Sequence, residues 1–294
     1  MITLFRKSLK GTRVQNWKIT SNCYRLYTKL AIRKHERPTV GTILIGFKGI
    51  EFEIESKDIT MLPTLLTEDY ENLEFEAISR LINLGEVFLD IGSNIGIWSL
   101  YVSRLVGPTG EVIAVEPNPN TLALLERNLD RNPELARVVS VAPLAISNFN
   151  GTANFESTDY LGTSHLLSNS RMKDFSSTKV ELVEVSTLDH LILDYEINPT
   201  FVKCDVEGFE AYVIEGGESY LRAKKPKILI EISGIQSARE NVNWDNAIRI
   251  LASTYSYIEV FGPTAQTQTS KGIGDILQNI LSDGRLHNVL LISV

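Results

Sequence analysis

A short segment of the chain combines an apolar run with a loop that bears glycine and asparagine. The run Val87 to Ile91 enters this loop, and the loop leads into a helical pattern. In open α/β folds, ligands bind at such carboxyl ends of strands, and the free N–H groups of the following helix favour an anion. The sequence therefore predicts a ligand site in this loop, formed by Asp90, Gly92, Ser93, Asn94 and Gly96.

A second candidate for ligand binding is Glu116, which follows the next apolar run, Glu111 to Val115. An acidic residue after the second strand of such a fold accepts hydrogen bonds from the hydroxyl groups of a ribose. Together, the loop and this carboxylate predict a ligand with a nucleoside part.

Two cofactors fit a nucleoside site of this kind, namely NAD and S-adenosylmethionine. The dinucleotide fingerprint G-x-G-x-x-G is absent, because Asn94 stands where a second glycine would let a pyrophosphate approach. Asp90 would repel a diphosphate, but it would attract the cationic part of S-adenosylmethionine, which has no pyrophosphate. The residues favour S-adenosylmethionine, and an NAD-binding oxidoreductase is the alternative.

Further motifs lie in the second half of the chain, and together with the loop they resemble a known family. The motifs are Asp90-Ile-Gly-Ser-Asn-Ile-Gly96, Glu116-Pro117, Ser186-Thr-Leu-Asp189, Lys203-Cys-Asp205-Val-Glu207-Gly208-Phe-Glu210 and His287-Asn288-Val289. They are similar to those of the FkbM-type S-adenosylmethionine-dependent methyltransferases, over about residues 70–294. The resemblance implies a class I methyltransferase fold, which is a Rossmann-like doubly wound α/β sheet. It also implies O-methylation of a hydroxyl group on a sugar, glycan or natural product.

Four residues are candidates for removing the proton of an acceptor hydroxyl: Asp205, Glu207, Glu231 and His165. Methyl transfer from a sulfonium depends mainly on positioning and on this proton removal, for which a carboxylate or an imidazole is suited. Asp205 follows an apolar strand and is the leading candidate for the base, while Glu207 is also a candidate for positioning. Ligand spacing does not single out a divalent-metal site among these acids, so we assign none.

The elements that must position these residues alternate between strands and helices from about residue 71, which predicts an α/β fold with a mainly parallel sheet. The predicted strands of this region are Val87–Ile91, Glu111–Val115, Val138–Val141, Thr152–Phe155, Val180–Val185, Thr200–Cys204, Lys227–Ile232, Tyr257–Phe261 and Asn288–Ser293. The predicted helices are Glu71–Asn83, Ile95–Leu105, Thr121–Asn128, Phe209–Leu221 and Trp244–Ser253. The polar segment Ser157–Ser177 is predicted to be a loop.

The first 60 residues have a different pattern from the rest of the chain. Apolar residues at three- and four-residue spacing between Val14 and Lys34 predict an amphipathic helix, and Thr42–Phe47 and Ile50–Ile54 predict a hairpin. We therefore expect an N-terminal extension of residues 1–60, formed by a helix and a hairpin, and a methyltransferase domain of residues 61–294.

Composition and charge limit the class of protein. Of the 294 residues, 43% are hydrophobic, and the chain contains no apolar stretch long enough to span a bilayer. The net charge is −7, although residues 1–40 carry ten Lys or Arg and one acid. Because the remaining chain is acidic, we expect no nucleic-acid partner. We expect a cytoplasmic protein whose basic N-terminal arm, residues 1–40, is available for peripheral contact with an anionic surface. A non-catalytic interaction protein on the same fold is the alternative to an enzyme.

Overall fold

The structure is a computed structural model, and it describes residues 41–56, 58, 61–157, 165–166, 179–261, 267–269 and 272–293. The chain divides into two compact units, Met1–Asn72 and Leu73–Val294. The amphipathic helix predicted between Val14 and Lys34 lies outside the described residues. The domain boundary after residue 60 stays a prediction.

The described residues form strands and helices in the following order. The strands are β1 Thr42–Phe47, β2 Ile50–Glu55, β3 Val87–Ile91, β4 Glu111–Val115, β5 Val139–Ala142, β6 Ala145–Ser147, β7 Gly151–Ser157, β8 His165–Leu166, β9 Lys179–Thr187, β10 Phe201–Cys204, β11 Lys227–Ser233, β12 Tyr257–Phe261, β13 Thr267–Thr269 and β14 Leu286–Ile292. The α-helices are α1 Met61–Thr67, α2 Asn72–Leu81, α3 Ile97–Val106, α4 Pro119–Arg131, α5 Pro133–Ala136, α6 Leu188–Asp194, α7 Glu210–Gly216, α8 Glu218–Lys224, α9 Gly234–Arg239, α10 Asp245–Thr254 and α11 Ile273–Ser282.

The first unit contains the predicted hairpin, which is confirmed. Strands β1 and β2 are antiparallel, and Phe47 pairs with Ile50 across the turn. The two turn residues, Lys48 and Gly49, both have positive φ, as the tight turns that match the twist of a hairpin require. The side chain of Asp58 accepts a hydrogen bond from the backbone N–H of Met61 at 2.7 Å and so stabilises the first turn of α1.

The second unit is built around a large sheet in the order β13-β12-β14-β11-β10-β3-β4-β5. Strands β3, β4, β5, β10 and β11 are parallel to their neighbours in this group, whereas β14 is antiparallel to both β11 and β12. After β3, strands β4 and β5 are added in turn on one side of it, and β10 later pairs with β3 on its other side. The strand order therefore reverses between β3 and β10, where a doubly wound sheet opens a crevice for a ligand. The predicted α/β fold is confirmed.

The central strands are apolar because both faces of the sheet are covered, as is typical of parallel sheets. Leu89, Ile113 and Ile228 are fully buried in the main core cluster. Trp98 in α3 is also buried and stacks on Phe75 of α2 with the ring centroids 3.8 Å apart. Trp98 is therefore a core residue.

Other parts of the second unit differ from the sequence-based expectation. A smaller sheet has the order β6-β9-β7-β8, and β8 lies within the segment that was predicted to be a loop. The predicted helix Phe209–Leu221 is divided between α7 and α8. A Cβ on Gly216 would meet the carbonyl oxygen of Ser147 at 2.1 Å, and one on Gly217 would meet Leu188 at 2.5 Å. The two glycines thus allow close packing at the break. The described residues contain no helix that is both long and apolar enough to cross a membrane.

Candidate cofactor and active site

The strand order places four of the predicted site residues in one row across four neighbouring strands. The row consists of Glu116 after β4, Gly92 after β3, Asp205 after β10 and Glu231 within β11. The residues that precede them are register partners: Val115, Ile91, Cys204 and Ile230. Since β3 and β10 flank the point where the strand order reverses, the row lies where this class of fold binds its ligand.

The loop after β3 has a backbone that only particular residues can adopt. Gly92, Asn94 and Gly96 have φ values of 79°, 52° and 86°, in the left-handed region that glycine and asparagine tolerate best. A Cβ on Gly92 would lie 1.9 Å from the carbonyl oxygen of Asp205, and one on Gly96 would lie 2.5 Å from Leu125. Gly92 therefore permits the close approach of the β10 loop, and Gly96 permits the packing of α3 against α4.

Glu116 is bound directly to this loop. Its Oε2 accepts a hydrogen bond from the backbone N–H of Asn94 at 3.0 Å, and its Oε1 accepts one from the N–H of Asn118 at 2.9 Å. Burial raises the pKa of Glu116 to about 7, although the two N–H groups favour the charged form. Each carboxylate oxygen still has acceptor capacity for a hydroxyl group.

Polar atoms without a partner surround the start of the loop. Asp90 is fully buried, and Ser99 Oγ donates to its Oδ2 at 2.5 Å. Among the described residues, Asp90 Oδ1, Ser93 Oγ and Asn94 Oδ1 have no hydrogen-bond partner. Burial raises the pKa of Asp90, and the charge of Lys203 opposes this rise. Buried polar atoms of this kind are costly unless a ligand or water binds them, so they fit the polar and cationic groups of S-adenosylmethionine.

Asp205 stands beside this loop, at the end of β10. Its backbone N–H donates to the carbonyl of Ile91 at 3.0 Å, which continues the pairing of β10 with β3. Its Oδ2 accepts a hydrogen bond from Lys203 Nζ at 2.9 Å, and its side chain is 22% exposed, whereas that of Lys203 is 5% exposed. The carboxylate is therefore held by a buried cation and is still partly exposed.

Glu207 has a different environment from Asp205. It has a left-handed φ of 58°, and Gln236 Nε2 donates to its Oε2 at 2.5 Å. Burial, followed by the charges of Asp205 and Glu210, raises the pKa of Glu207 to about 9. Glu207 is therefore protonated at neutral pH, which suits a positioning group better than a base.

Glu210, the last residue of the motif that contains Asp205, has contacts that give it a structural role. It is fully buried, and its carboxylate accepts hydrogen bonds from the N–H groups of Val206 and Gly208 at 2.9 to 3.1 Å. Burial raises its pKa to about 7. Glu210 thus fixes the turn that follows Asp205. The one sequence signal for this role is an acid two residues after Gly208.

The remaining two candidates lie in different places. Glu231 is 8% exposed and lies inside β11, which continues to Ser233, so it occupies the row without being at a strand end. His165 belongs to the smaller sheet, where its backbone pairs with Glu156 of β7. The structure therefore places Glu231 with Asp205 and places His165 on a separate sheet, while the rest of the predicted loop around His165 lies outside the described residues.

Comparison with known proteins gives a family match. Residues 90–259 match the methyltransferase FkbM domain. A hexuronic acid methyltransferase, AglP of Haloferax volcanii, is 32% identical over 141 residues, which are 47% of this chain and 52% of that protein. A probable cobalt-precorrin-6B C(15)-methyltransferase (decarboxylating) of Thermoplasma volcanium is 37% identical over 62 residues, or 21% of this chain and 31% of that protein. The chain thus spans about half the length, or less, of these two curated relatives.

Among solved structures, the methyltransferase FkbM from Methylobacillus flagellatus KT has a TM-score of 0.44 and 17% identity, with 80% of this chain and 55% of that chain covered.

The matched domain includes the whole row from the glycine loop to β11, and it covers more than half of the chain. The expected class I methyltransferase fold is confirmed by this match together with the strand order of the large sheet. The cofactor is S-adenosylmethionine, which the residues of the loop favour. The chain belongs to the FkbM methyltransferase family.

Proposed function

We propose that this protein is an S-adenosylmethionine-dependent O-methyltransferase that methylates a hydroxyl group of a sugar, glycan or natural product. The observation that carries the proposal is Asp205, a partly exposed carboxylate in the same row as Gly92 and Glu116. This carboxylate lies next to the loop in which the cofactor is expected, which supports its role as the base. A sugar acceptor is supported by the similarity to a protein named hexuronic acid methyltransferase.

Glu116 and Asp90 bind different parts of the cofactor. Glu116 accepts hydrogen bonds from the ribose hydroxyls, with its orientation fixed by the N–H groups of Asn94 and Asn118. Asp90 Oδ1, which has no hydrogen-bond partner in the described part of the chain, is available to the positively charged part of the cofactor. S-adenosylmethionine, when bound, would supply a methyl group on a sulfonium, from which the neutral thioether S-adenosylhomocysteine leaves when an oxygen nucleophile attacks the methyl carbon in line.

Asp205 accepts the proton that the acceptor hydroxyl loses. Its Oδ2 is held by Lys203, so the carboxylate has a defined orientation. Glu207 is protonated near neutral pH, since its pKa is about 9, and in that form it can donate a hydrogen bond to the acceptor. Positioning of the acceptor and removal of one proton are what this reaction requires of the protein.

The substitution Asp205→Asn tests the base. It should lower kcat by about 10²- to 10⁴-fold, while the dissociation constant for S-adenosylhomocysteine changes little, because Glu116 and the glycine loop are untouched. The assay measures S-adenosylhomocysteine release with D-glucuronic acid, D-galacturonic acid, D-glucose and D-mannose as acceptors. Asp194→Asn is the matched control, since the side chain of Asp194 is 55% exposed and contacts the half-exposed His190.

Two other results would contradict the assignment of the base or of the activity. If Asp205→Asn abolishes cofactor binding, Asp205 holds the cofactor and the base is another of the candidates, Glu207, Glu231 or His165. If the wild-type protein binds S-adenosylmethionine but turns over none of a broad set of hydroxyl acceptors, the non-catalytic interaction protein becomes the better description.

A further inference from the structure

Lys203 lies in the middle of the apolar strand β10, in a place where a charge is costly. All four residues of the strand, Phe201 to Cys204, are buried, and Lys203 itself is 4% exposed. Lysine is almost never buried without a partner, because its ammonium group loses its hydration. The apolar character of the strand alone does not account for this residue.

Lys203 lies between the proposed base, Asp205, and Asp90 at the start of the cofactor loop. Its Nζ lies 2.9 Å from Asp205 Oδ2 and 6.0 Å from the centre of the Trp98 ring. Its register partner on the neighbouring strand is Asp90, so both side chains are on the same face of the sheet, and the lysine charge acts on Asp90. One buried cation is thus close to a carboxylate of the cofactor loop and to the proposed base.

We propose that Lys203 is a positioning residue that holds the Asp205 carboxylate in the orientation in which it accepts the proton of the acceptor hydroxyl. This inference rests on the function proposed above. Asp205 follows the end of the strand, and the turn after it contains two successive residues with positive φ, Glu207 and Gly208. The backbone there is fixed by Glu210, whereas the Asp205 carboxylate accepts a side-chain hydrogen bond from Lys203.

The electrostatics of the neighbourhood support this role. Asp90 and Glu210 are further acids whose charges interact with Asp205, and in their ionised forms they would turn a freely rotating carboxylate away from them. The ion pair with Lys203 opposes this rotation. A misplacement of about 1 Å at a reacting group is enough to cost about 100-fold in rate.

A double-mutant cycle separates a residue that acts through Asp205 from one that acts independently. The variants are Lys203→Met, Asp205→Asn, their combination, and the conservative Lys203→Arg. We expect Lys203→Met to lower kcat by about 10- to 100-fold, with the dissociation constant for S-adenosylmethionine changed by less than about 3-fold. Lys203→Arg should retain more activity than Lys203→Met. In the Asp205→Asn background, Lys203→Met should cause no further loss.

Lys227 provides a closely matched control. It is on the adjacent strand β11, contacts Glu86 at 3.2 Å, and lies 5.9 Å from the centre of the Phe201 ring. Like Lys203, it therefore has an ion-pair partner and an aromatic neighbour of its own. It lies at the start of its strand, however, away from the carboxyl ends where the site is. Lys227→Met should leave kcat within about 2-fold of the wild type.

The outcomes are distinct. An equal further loss in the Asp205→Asn background, or a collapse of S-adenosylmethionine binding in Lys203→Met, overturns the role of Lys203 and leaves the proposed base intact. Full activity of Asp205→Asn alone overturns the base itself. If Lys203→Met does not fold, the same cycle is run with Lys203→Arg, and an additive loss with Asp205→Asn again overturns the proposal.

A measurement that needs no acceptor completes the test. Crystal structures of the wild type and Lys203→Met, both with S-adenosylhomocysteine, should show the Asp205 carboxylate rotated away from its position near residue 203 in the variant. An unchanged carboxylate position would overturn the proposal, whichever sugar the protein methylates.

Discussion

The substitution Glu116→Ala tests how the protein holds the ribose of its cofactor. Glu116 is 6% exposed, and each of its oxygens already accepts one backbone N–H. The second lone pair of each oxygen is therefore what remains for the two ribose hydroxyls. Alanine removes both acceptors and the charge, while the neighbouring strand β4 keeps its pairing with β3.

The expected magnitude follows from the type of bond that is lost. A hydrogen bond to a charged group contributes about 1.5–3 kcal/mol, so the dissociation constant for S-adenosylhomocysteine should rise by about 10- to 150-fold. In Glu116→Ala the backbone N–H groups of Asn94 and Asn118 lose their acceptor, which also lowers the stability of the protein. Glu116→Gln is therefore a useful second variant, because it keeps the volume of the side chain and one acceptor.

The pKa of Glu116, about 7, adds a test with a defined sign. Ribose hydroxyls donate to the carboxylate, so the ionised form binds better and the protonated form binds worse. The dissociation constant of the wild type should therefore rise as the pH falls from 8 to 6, by up to about 10-fold per pH unit below 7. Glu116→Gln cannot titrate and should lack this rise.

Isothermal titration calorimetry with S-adenosylhomocysteine at pH 8, 7 and 6 makes the measurement. Glu111→Ala is the control, since Glu111 is the first residue of the same strand, at the end away from the loop. An affinity that is unchanged by Glu116→Ala, or equally dependent on pH in Glu116→Gln, would refute the assignment of Glu116 to the ribose.

Three other predictions concern the loop, the turn after β10 and the N-terminal arm. Gly92→Ala should destabilise the fold by about 2–5 kcal/mol in denaturant titration, because its Cβ would meet the Asp205 carbonyl and its φ is 79°; Gly46→Ala, with open space at its Cβ, is the control. The folded pKa of Glu210, about 7, is above the unfolded value of 4.5, so its stabilising effect is present at low pH and is lost as the pH rises through 7. The melting temperature of Glu210→Gln should therefore fall less between pH 5 and 7.5 than that of the wild type, and an equal fall contradicts the reasoning. Deletion of residues 1–37 should leave S-adenosylhomocysteine affinity unchanged but lower binding to anionic vesicles in a salt-sensitive way; a lower melting temperature alone would indicate a structural cap.

Local signals in the sequence were sufficient for much of the large sheet. Strands β3 and β4 have the predicted bounds, Val87–Ile91 and Glu111–Val115, because a strand covered on both faces is a continuous apolar run that ends at a polar loop. The positive φ at Asn94 also agrees with the sequence argument, since asparagine is the residue other than glycine that most readily adopts it. These features depend on residues close together in the chain.

The features that were missed depend on distant contacts. Strand β8 consists of two residues whose pairing is set by β7, and nothing in the local sequence indicates it. The division between α7 and α8 follows from the packing of Gly216 and Gly217 on other elements. Likewise, the sequence places Lys203 and Asp205 two residues apart, but only the burial of both strand faces shows that the lysine must be paired.

The same distinction explains why several carboxylates could be identified while their roles could not. An acid after an apolar strand is visible in the sequence, but its protonation depends on burial and on neighbours from other strands. Asp90, Glu116, Glu207 and Glu210 all have raised pKa values, chiefly because of burial. A cationic cofactor with hydroxyl donors favours the ionised forms, which a diphosphate would oppose. On the proposed function, these acids would therefore favour a sulfonium cofactor over a diphosphate by electrostatics, in addition to the shape of the glycine loop.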